Sequence, residues 1–213
     1  MWLKRVALSF DGDFDVKTIV RDFASGLRMA DEKRPQAKSY RPGIGPIRKR
    51  RPSSFVLPRS RQYRVLPYNG RVSLEVPYPN SPRAKWDVCL GLSPDWQWVI
   101  EIKMLRLMGD NGKSNDNMLM HILSPYPGHR SAVTDCEKLL TSGLRGRKAV
   151  VIYGYDYDSW PMDPAIEAFE VLARSRVSLS NPVVAEVSGL AHPVHQRGRL
   201  FGWEIAPYPS GAL

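Results

Sequence analysis

Cysteine is scarce: Cys89 and Cys136 are far apart and form no C-x-x-C. That excludes a dense disulfide framework and predicts two reduced, half-buried thiols in a cytoplasmic protein. No run of eighteen apolar residues exists, so no transmembrane helix is expected. Met1-Trp2-Leu3-Lys4-Arg5 is not followed by an apolar stretch of the secretory type, and no N-x-S/T sequon occurs. Several nucleotide and hydrolase signatures are missing too. No G-x-S-x-G elbow is present, and no G-x-G-x-x-G follows a strand. Gly109-Asp110-Asn111-Gly112-Lys113-Ser114 has the wrong glycine spacing for a Walker A loop and the wrong third residue for a calcium loop, so it reads as a polar surface loop. His192-Pro193-Val194-His195 offers two imidazoles, but with no third soft ligand nearby and a proline between them it reads as a surface loop rather than a zinc site.

The most informative absence is that of acid. From Lys33 to Leu74 there is no Asp or Glu, against twelve Lys and Arg. The chain's net charge of +10 is therefore carried by this segment, and the rest is slightly acidic. A basic stretch on a near-neutral body is the electrostatic footprint of a nucleic-acid binder. Residues 33–70 are also dense in Pro, Gly and Ser, which predicts an irregular basic arm or insertion on a single domain spanning 1–213. Within it Arg48, Lys49, Arg50, Arg51, Arg59, Arg61 and Arg64 are the expected phosphate contacts. Nothing in the arm is amphipathic enough for a membrane helix. The hydrophobic fraction of 43% is enough for a real core.

Met1–Phe10 has the pattern of a short strand. Asp13 or Asp15 is the expected N-cap of a helix over Val16–Asp31, whose Val16, Ile19, Val20, Phe23 and Leu27 form one stripe. Arg71–Val76 reads as a strand with Val72, Leu74 and Val76 on one face and Glu75 on the other, followed by a turn-rich connector, Pro77–Pro82. Arg106–His129 reads as loop. Ser131–Gly143 reads as a helix with Ser131 as N-cap and Gly143 as the stop. Arg147–Tyr155 is a continuous apolar strand, expected to be central and covered on both faces. A helix with Asp163 as N-cap and Pro164 at its first turn should reach about Ser175. Strands near Val183–Leu190 and Arg199–Ile205 complete the chain.

The stretch Arg83–Leu105 organises the rest. Trp86, Val88 and Leu90 alternate with Lys85, Asp87 and Cys89; Trp96, Trp98, Ile100, Ile102 and Met104 alternate with Gln97, Val99, Glu101 and Lys103. With Ser93-Pro94-Asp95 between them, this is a hairpin. Matching the apolar faces fixes a register in which paired residue numbers sum to 188, so Asp87 lies opposite Glu101 and Lys85 opposite Lys103. Asp87, Glu101 and Lys103 then share the less apolar face, the two carboxylates roughly 5 Å apart at Cβ. Facing carboxylates repel unless a positive charge sits between them, and hard oxygen ligands at this spacing suit Mg²⁺ or Mn²⁺.

Asp87, thirteen residues, then Glu101-Ile102-Lys103 on consecutive strands resembles the D…(D/E)-x-K signature of the PD-(D/E)XK nuclease superfamily, which includes the type II restriction endonucleases; here Trp86 stands where many members have proline. The expected element order also resembles that superfamily's αβββαβ core, which implies a restriction-endonuclease-like fold: a central mixed sheet flanked by helices. The resemblance implies Asp87, Glu101 and the Ile102 carbonyl as metal ligands, Lys103 as the lysine that positions water and stabilises phosphorane-like charge, and Glu75 as an extra upstream acid. Ser131 and Asp135 stand where the second helix often adds a polar residue to the site, though plain capping would also explain them.

The function expected from these readings is a Mg²⁺- or Mn²⁺-dependent endonuclease that hydrolyses phosphodiester bonds in DNA, with RNA left open, in restriction, phage defence or repair. Paired-strand cutting favours a homodimer or a larger assembly. The alternative is a non-catalytic nucleic-acid-binding or assembly protein that keeps the basic arm and carries the hairpin acids as surface charge.

Overall fold

The computed structural model describes residues 15–32, 42–43, 71–79, 81–115 and 118–207, and of residues 81–83 only the backbone. The expected strand at Met1–Phe10, Asp13, and the basic residues Arg48, Lys49, Arg50, Arg51, Arg59, Arg61 and Arg64 lie outside the described residues.

Four helices and seven strands are described: α1 (Val16–Glu32), β1 (Val72–Tyr78), β2 (Ser81–Gly91), β3 (Trp96–Leu105), α2 (Met120–Leu123), α3 (Ala132–Thr141), β4 (Arg147–Tyr155), α4 (Asp163–Arg174), β5 (Ser178–Leu179), β6 (Val183–Ser188) and β7 (Arg197–Ala206). The strands form one mixed sheet in the order β1-β2-β3-β4-β7-β5, with β6 also pairing β7. β3 and β4 are parallel; every other pairing is antiparallel. A parallel pair needs a crossover, and α2 and α3 lie within it. Among the described residues no helix is long and apolar enough to cross a membrane.

Both faces of the sheet are covered. On one, the α1 stripe of Ile19, Val20, Phe23 and Leu27 packs on Val88, Leu90, Trp98, Ile100 and Val151. On the other, Val133, Cys136 and Leu139 of α3 and Ile166 and Phe169 of α4 pack on Val99, Val150, Ile152 and Trp203. β4 is central, as its unbroken apolar run predicts. A side chain at Gly202 would overlap Val20, so that glycine sets how closely α1 approaches β7. The α1 start is capped by Asp15, whose Oδ1 accepts the Thr18 amide at 2.7 Å.

The hairpin register is the expected one. Val88↔Ile100, Cys89↔Val99 and Leu90↔Trp98 pair, and a bulge at Gly91 ends the match at Trp96. The face assignment needs correction at the hairpin's ends. Val88, Leu90, Trp98, Ile100 and Ile102 lie on the α1 face, whereas Trp86 and Trp96 pack with the opposite core. The reason lies in β1 as well as at Gly91. Glu75 has a left-handed φ of 54°, which breaks the two-residue alternation between Leu74↔Val88 and Val76↔Trp86. Val72 and Leu74 therefore face α1, while Val76 and Tyr78 turn to the other side.

Other boundaries move as well. β1 continues through Pro77 and Tyr78, which were expected in a connector. The Arg106–His129 loop contains α2 and a 3-10 turn at Pro127–His129. α4 begins at Asp163 itself, with Met162 as N-cap, because Asp163 is engaged by Arg199 rather than by an orphan amide. The two thiols are fully buried rather than half-buried: Cys89 lies under the sheet's α3 face and Cys136 on the inner face of α3.

Candidate active site

Asp87 sits where the β2–β3 ladder stops. The last paired residues are Val88 and Ile100. One step further, the Asp87 side chain takes over from the backbone: its Oδ2 accepts the Ile102 amide at 2.8 Å. That bond would otherwise belong to strand pairing, and it fixes the carboxylate against β3.

Glu101 is buried at 4% exposure. Its Oε1 accepts the Tyr78 hydroxyl at 2.6 Å, and Lys138 Nζ stands 3.6 Å from the same oxygen. Lys138 also lies 4.3 Å above the Tyr78 ring, a cation–π contact. Burial, and after it the charges of Asp135 and Asp87, push the Glu101 carboxyl up to about 8. Burial likewise raises Asp87, against the pull of the Ile102 amide and of Lys103.

Lys103 reaches the N-terminal end of α3. Its Nζ donates to the Arg130 carbonyl at 2.8 Å and stands 2.6 Å from Asp135 Oδ2. Burial works against the ammonium, but Asp135 above all, with Glu101 and Asp87, outweighs it and raises the lysine's pKa. The Lys103–Asp135 contact is a close ion pair, the ammonium within hydrogen-bond distance of the buried Oδ2. Asp135 is held on the first turn of α3 by its own amide, which donates to Ser131 O at 2.9 Å. Ser131 caps that helix, its Oγ accepting the Thr134 amide.

Three carboxyl groups and two ammonium groups thus meet on the α3 side of the sheet, a net formal charge of −1 with all five ionised. Two carboxyls held toward neutrality chiefly by burial, a third carboxylate beside them, and oxygen-only ligands are conditions a single hard divalent cation relieves. Asp87, Glu101 and Asp135 offer the oxygen donors that Mg²⁺ or Mn²⁺ takes and would be the residues to hold such an ion, although the described residues that bring three ligand atoms within 4.8 Å of one another are Asp110, His192 and His195.

The structure brings Asp87, Glu101 and Lys103 together, as their spacing predicts, and adds Asp135 from the helix. Ile102 takes part through its amide, toward Asp87. Register places Glu75, half-buried and left-handed, across from Asp87. Tyr78 and Lys138 were not foreseen. Lys138 had a readable signal, three residues after Asp135 and so on the same helix face. Tyr78 had none, because it lies beyond the left-handed Glu75 and a register shift at Pro77/Tyr78, neither of which the sequence marks.

The two histidines are not on a surface loop: His192 and His195 are 1% and 0% exposed. With Asp110 they bring one ligand atom each within 4.8 Å of one another. Hydrogen bonds also link these residues into a chain. His192 Nδ1 accepts the Val194 and His195 amides, so its lone pair is taken. His195 is bonded at both ring nitrogens, to Tyr157 Oη at 2.5 Å and Asp110 Oδ1 at 3.0 Å. The two rings stack at 21°, 4.4 Å apart.

Compared with known proteins, the chain matches no family model, no curated protein and no solved structure.

Proposed function

We propose that the protein is a metal-dependent nuclease of the PD-(D/E)XK type that hydrolyses phosphodiester bonds in DNA. The observation that carries this reading is the meeting of Asp87, Glu101 and Lys103 from two neighbouring strands with Asp135 from the following helix. The order of a helix, three antiparallel strands, a helix and a strand parallel to the third supports a restriction-endonuclease-like core. So does the site's place at the C-terminal end of the parallel pair. The acid-free, basic segment that precedes β1 supports a polyanionic substrate.

A divalent cation, when bound, would act as Lewis acid on the scissile phosphate and lower the pKa of its attacking water. The chain's own residues set the geometry. Asp87 is fixed by the Ile102 amide and Glu101 by Tyr78, so both carboxylates are oriented before substrate arrives. Lys103 places a permanent positive charge among them, suited to orienting water and to balancing charge that builds on phosphorus. Lys138 offsets part of the acidic excess from the solvent side.

The test is cleavage of supercoiled plasmid and of single-stranded DNA with Mg²⁺ or Mn²⁺ against EDTA, with Lys103→Ala and Glu101→Gln in parallel. Nicking that requires metal and disappears in both variants is the expected result. Binding of DNA by the wild-type protein with no cleavage on either substrate would instead favour a non-catalytic nucleic-acid-binding protein.

A further inference from the structure

Between Ser124 and Ser131 the chain leaves the body of the protein and returns. Both serines are buried, at 8% and 0% exposure, while all six residues between them, Pro125 to Arg130, are exposed. Ser131 Oγ donates to the Ser124 carbonyl at 2.5 Å and closes the base. The excursion is braced from within. Ser124 Oγ is 2.7 Å from His129 Nδ1. The His129 amide donates to Tyr126 O at 3.0 Å. The Tyr126 and His129 rings meet edge-on, 5.5 Å apart. Pro125 and Pro127 remove two φ freedoms. Arg130 holds a left-handed φ of 50°, and its carbonyl receives Lys103 Nζ at 2.8 Å. This is a stiff finger whose root is attached to the lysine of the site.

Tyr126, at 65% exposure, is the most exposed aromatic side chain among the described residues. The finger carries no acid, and His129 and Arg130 stand at its return. A rigid, solvent-facing ring beside a basic side chain offers a stacking platform with a phosphate partner. Any base presents a π-face to such a platform, but only when it is not paired in a duplex. We infer that the Pro125–Arg130 finger is a recognition element that stacks an unpaired DNA base on Tyr126 next to the scissile phosphate, which makes frayed, flapped or single-stranded DNA the favoured substrate. This rests on the nuclease reading for the position of the scissile phosphate. The stacking contact itself does not.

The test is binding, measured separately from cleavage. Fluorescence anisotropy is recorded in EDTA at raised salt, which screens the contribution of the basic arm. The probes are a labelled single strand, a forked duplex and a blunt duplex of the same sequence. Wild type is compared with Tyr126→Ala and Tyr126→Phe; unchanged melting temperatures confirm that the exposed ring has no part in folding. Tyr126→Ala should weaken binding to the single strand and the fork by about 10-fold. Tyr126→Phe, which keeps the ring, should stay within about twofold, and blunt duplex should be unaffected. Equal affinities of wild type and Tyr126→Ala for the single strand, equal losses on blunt duplex, or no binding of the single strand by wild type would overturn the inference. An absence of cleavage with the Tyr126 dependence intact would remove the nuclease reading and leave the finger.

Discussion

Tyr78 donates its phenolic proton to Glu101 Oε1 at 2.6 Å, although β1 and β3 are not neighbours in the sheet and β2 runs between them. The bond exists because the left-handed residue at Glu75 turns the last part of β1 over the end of β2, where Tyr78 also meets Trp86 with ring centroids 4.0 Å apart. Replacing Tyr78 by Phe removes the neutral donor bonded to that oxygen and keeps the ring packing. The expected cost is about 1–3 kcal/mol of stability in denaturant titrations. Cleavage should fall more at low Mg²⁺ than at saturating Mg²⁺, since a looser Glu101 weakens cation binding first. Equal losses at all metal concentrations would show that Tyr78 does not act through Glu101.

The raised pKa of Glu101 makes the metal-free protein sensitive to alkali. A carboxyl that holds its proton up to about 8 in the fold, against an ordinary value near 4.5, binds more protons folded than unfolded between those limits. Its stabilising contribution is complete below about 4.5 and is lost as pH rises through about 8. In EDTA, the melting temperature of wild type relative to Glu101→Gln should therefore decline across that window. Saturating Mg²⁺ should flatten the decline, because the cation takes over the proton's role. A difference between the two proteins that does not change with pH would show that Glu101 is charged throughout.

Lys103 and Asp135 hold each other in a largely buried pair, at 20% and 3% side-chain exposure. Removing one partner leaves an uncompensated charge, so Lys103→Ala should destabilise the fold by about 3 kcal/mol in urea titration. The double variant Lys103→Ala, Asp135→Asn should recover most of that stability and none of the cleavage. If the double variant is as unstable as the single one, the pair is not what anchors Lys103.

The His195 relay joins the loop after β3 to the loop after β4: Asp110 on one side, Tyr157 on the other. Burial lowers the His195 pKa, so the ring is neutral in the fold at pH 7. His195→Ala should lower the melting temperature by several degrees. Zinc content by mass spectrometry should be the same in both proteins, and added Zn²⁺ should not raise the wild-type melting temperature. A stoichiometric Zn²⁺-dependent rise lost in the variant would make the cluster a metal centre after all.

Much of this architecture is written in periodicity. The 3.6-residue stripe from Val16 to Leu27, the apolar run of β4 and the facing alternations that set the Val88↔Ile100 register are each fixed by which residues must be buried together. That register is what brings Asp87 to β3, so the centre of the site was legible too. What escaped has a common cause. Glu75 adopts a backbone conformation that its side chain does not advertise, and Tyr78, Trp86 and Val76 change faces because of it. His195 is held by partners 38 and 85 residues away, which no local pattern records. The 3-10 turn at Pro127–His129 is held by side-chain bonds that leave no hydrophobic period.

The serine pinch beneath the finger separates two kinds of information. Lys103 reads only the backbone carbonyl of Arg130, and Ser131 only the backbone carbonyl of Ser124. The residues from Pro125 to Arg130 are exposed, and of their side chains His129 reaches back to Ser124. Tyr126 can be exchanged without removing either carbonyl contact, whereas His129 and the left-handed Arg130 help to hold them in place. What the Tyr126 ring meets can therefore change while the contact that holds Lys103 stays the same.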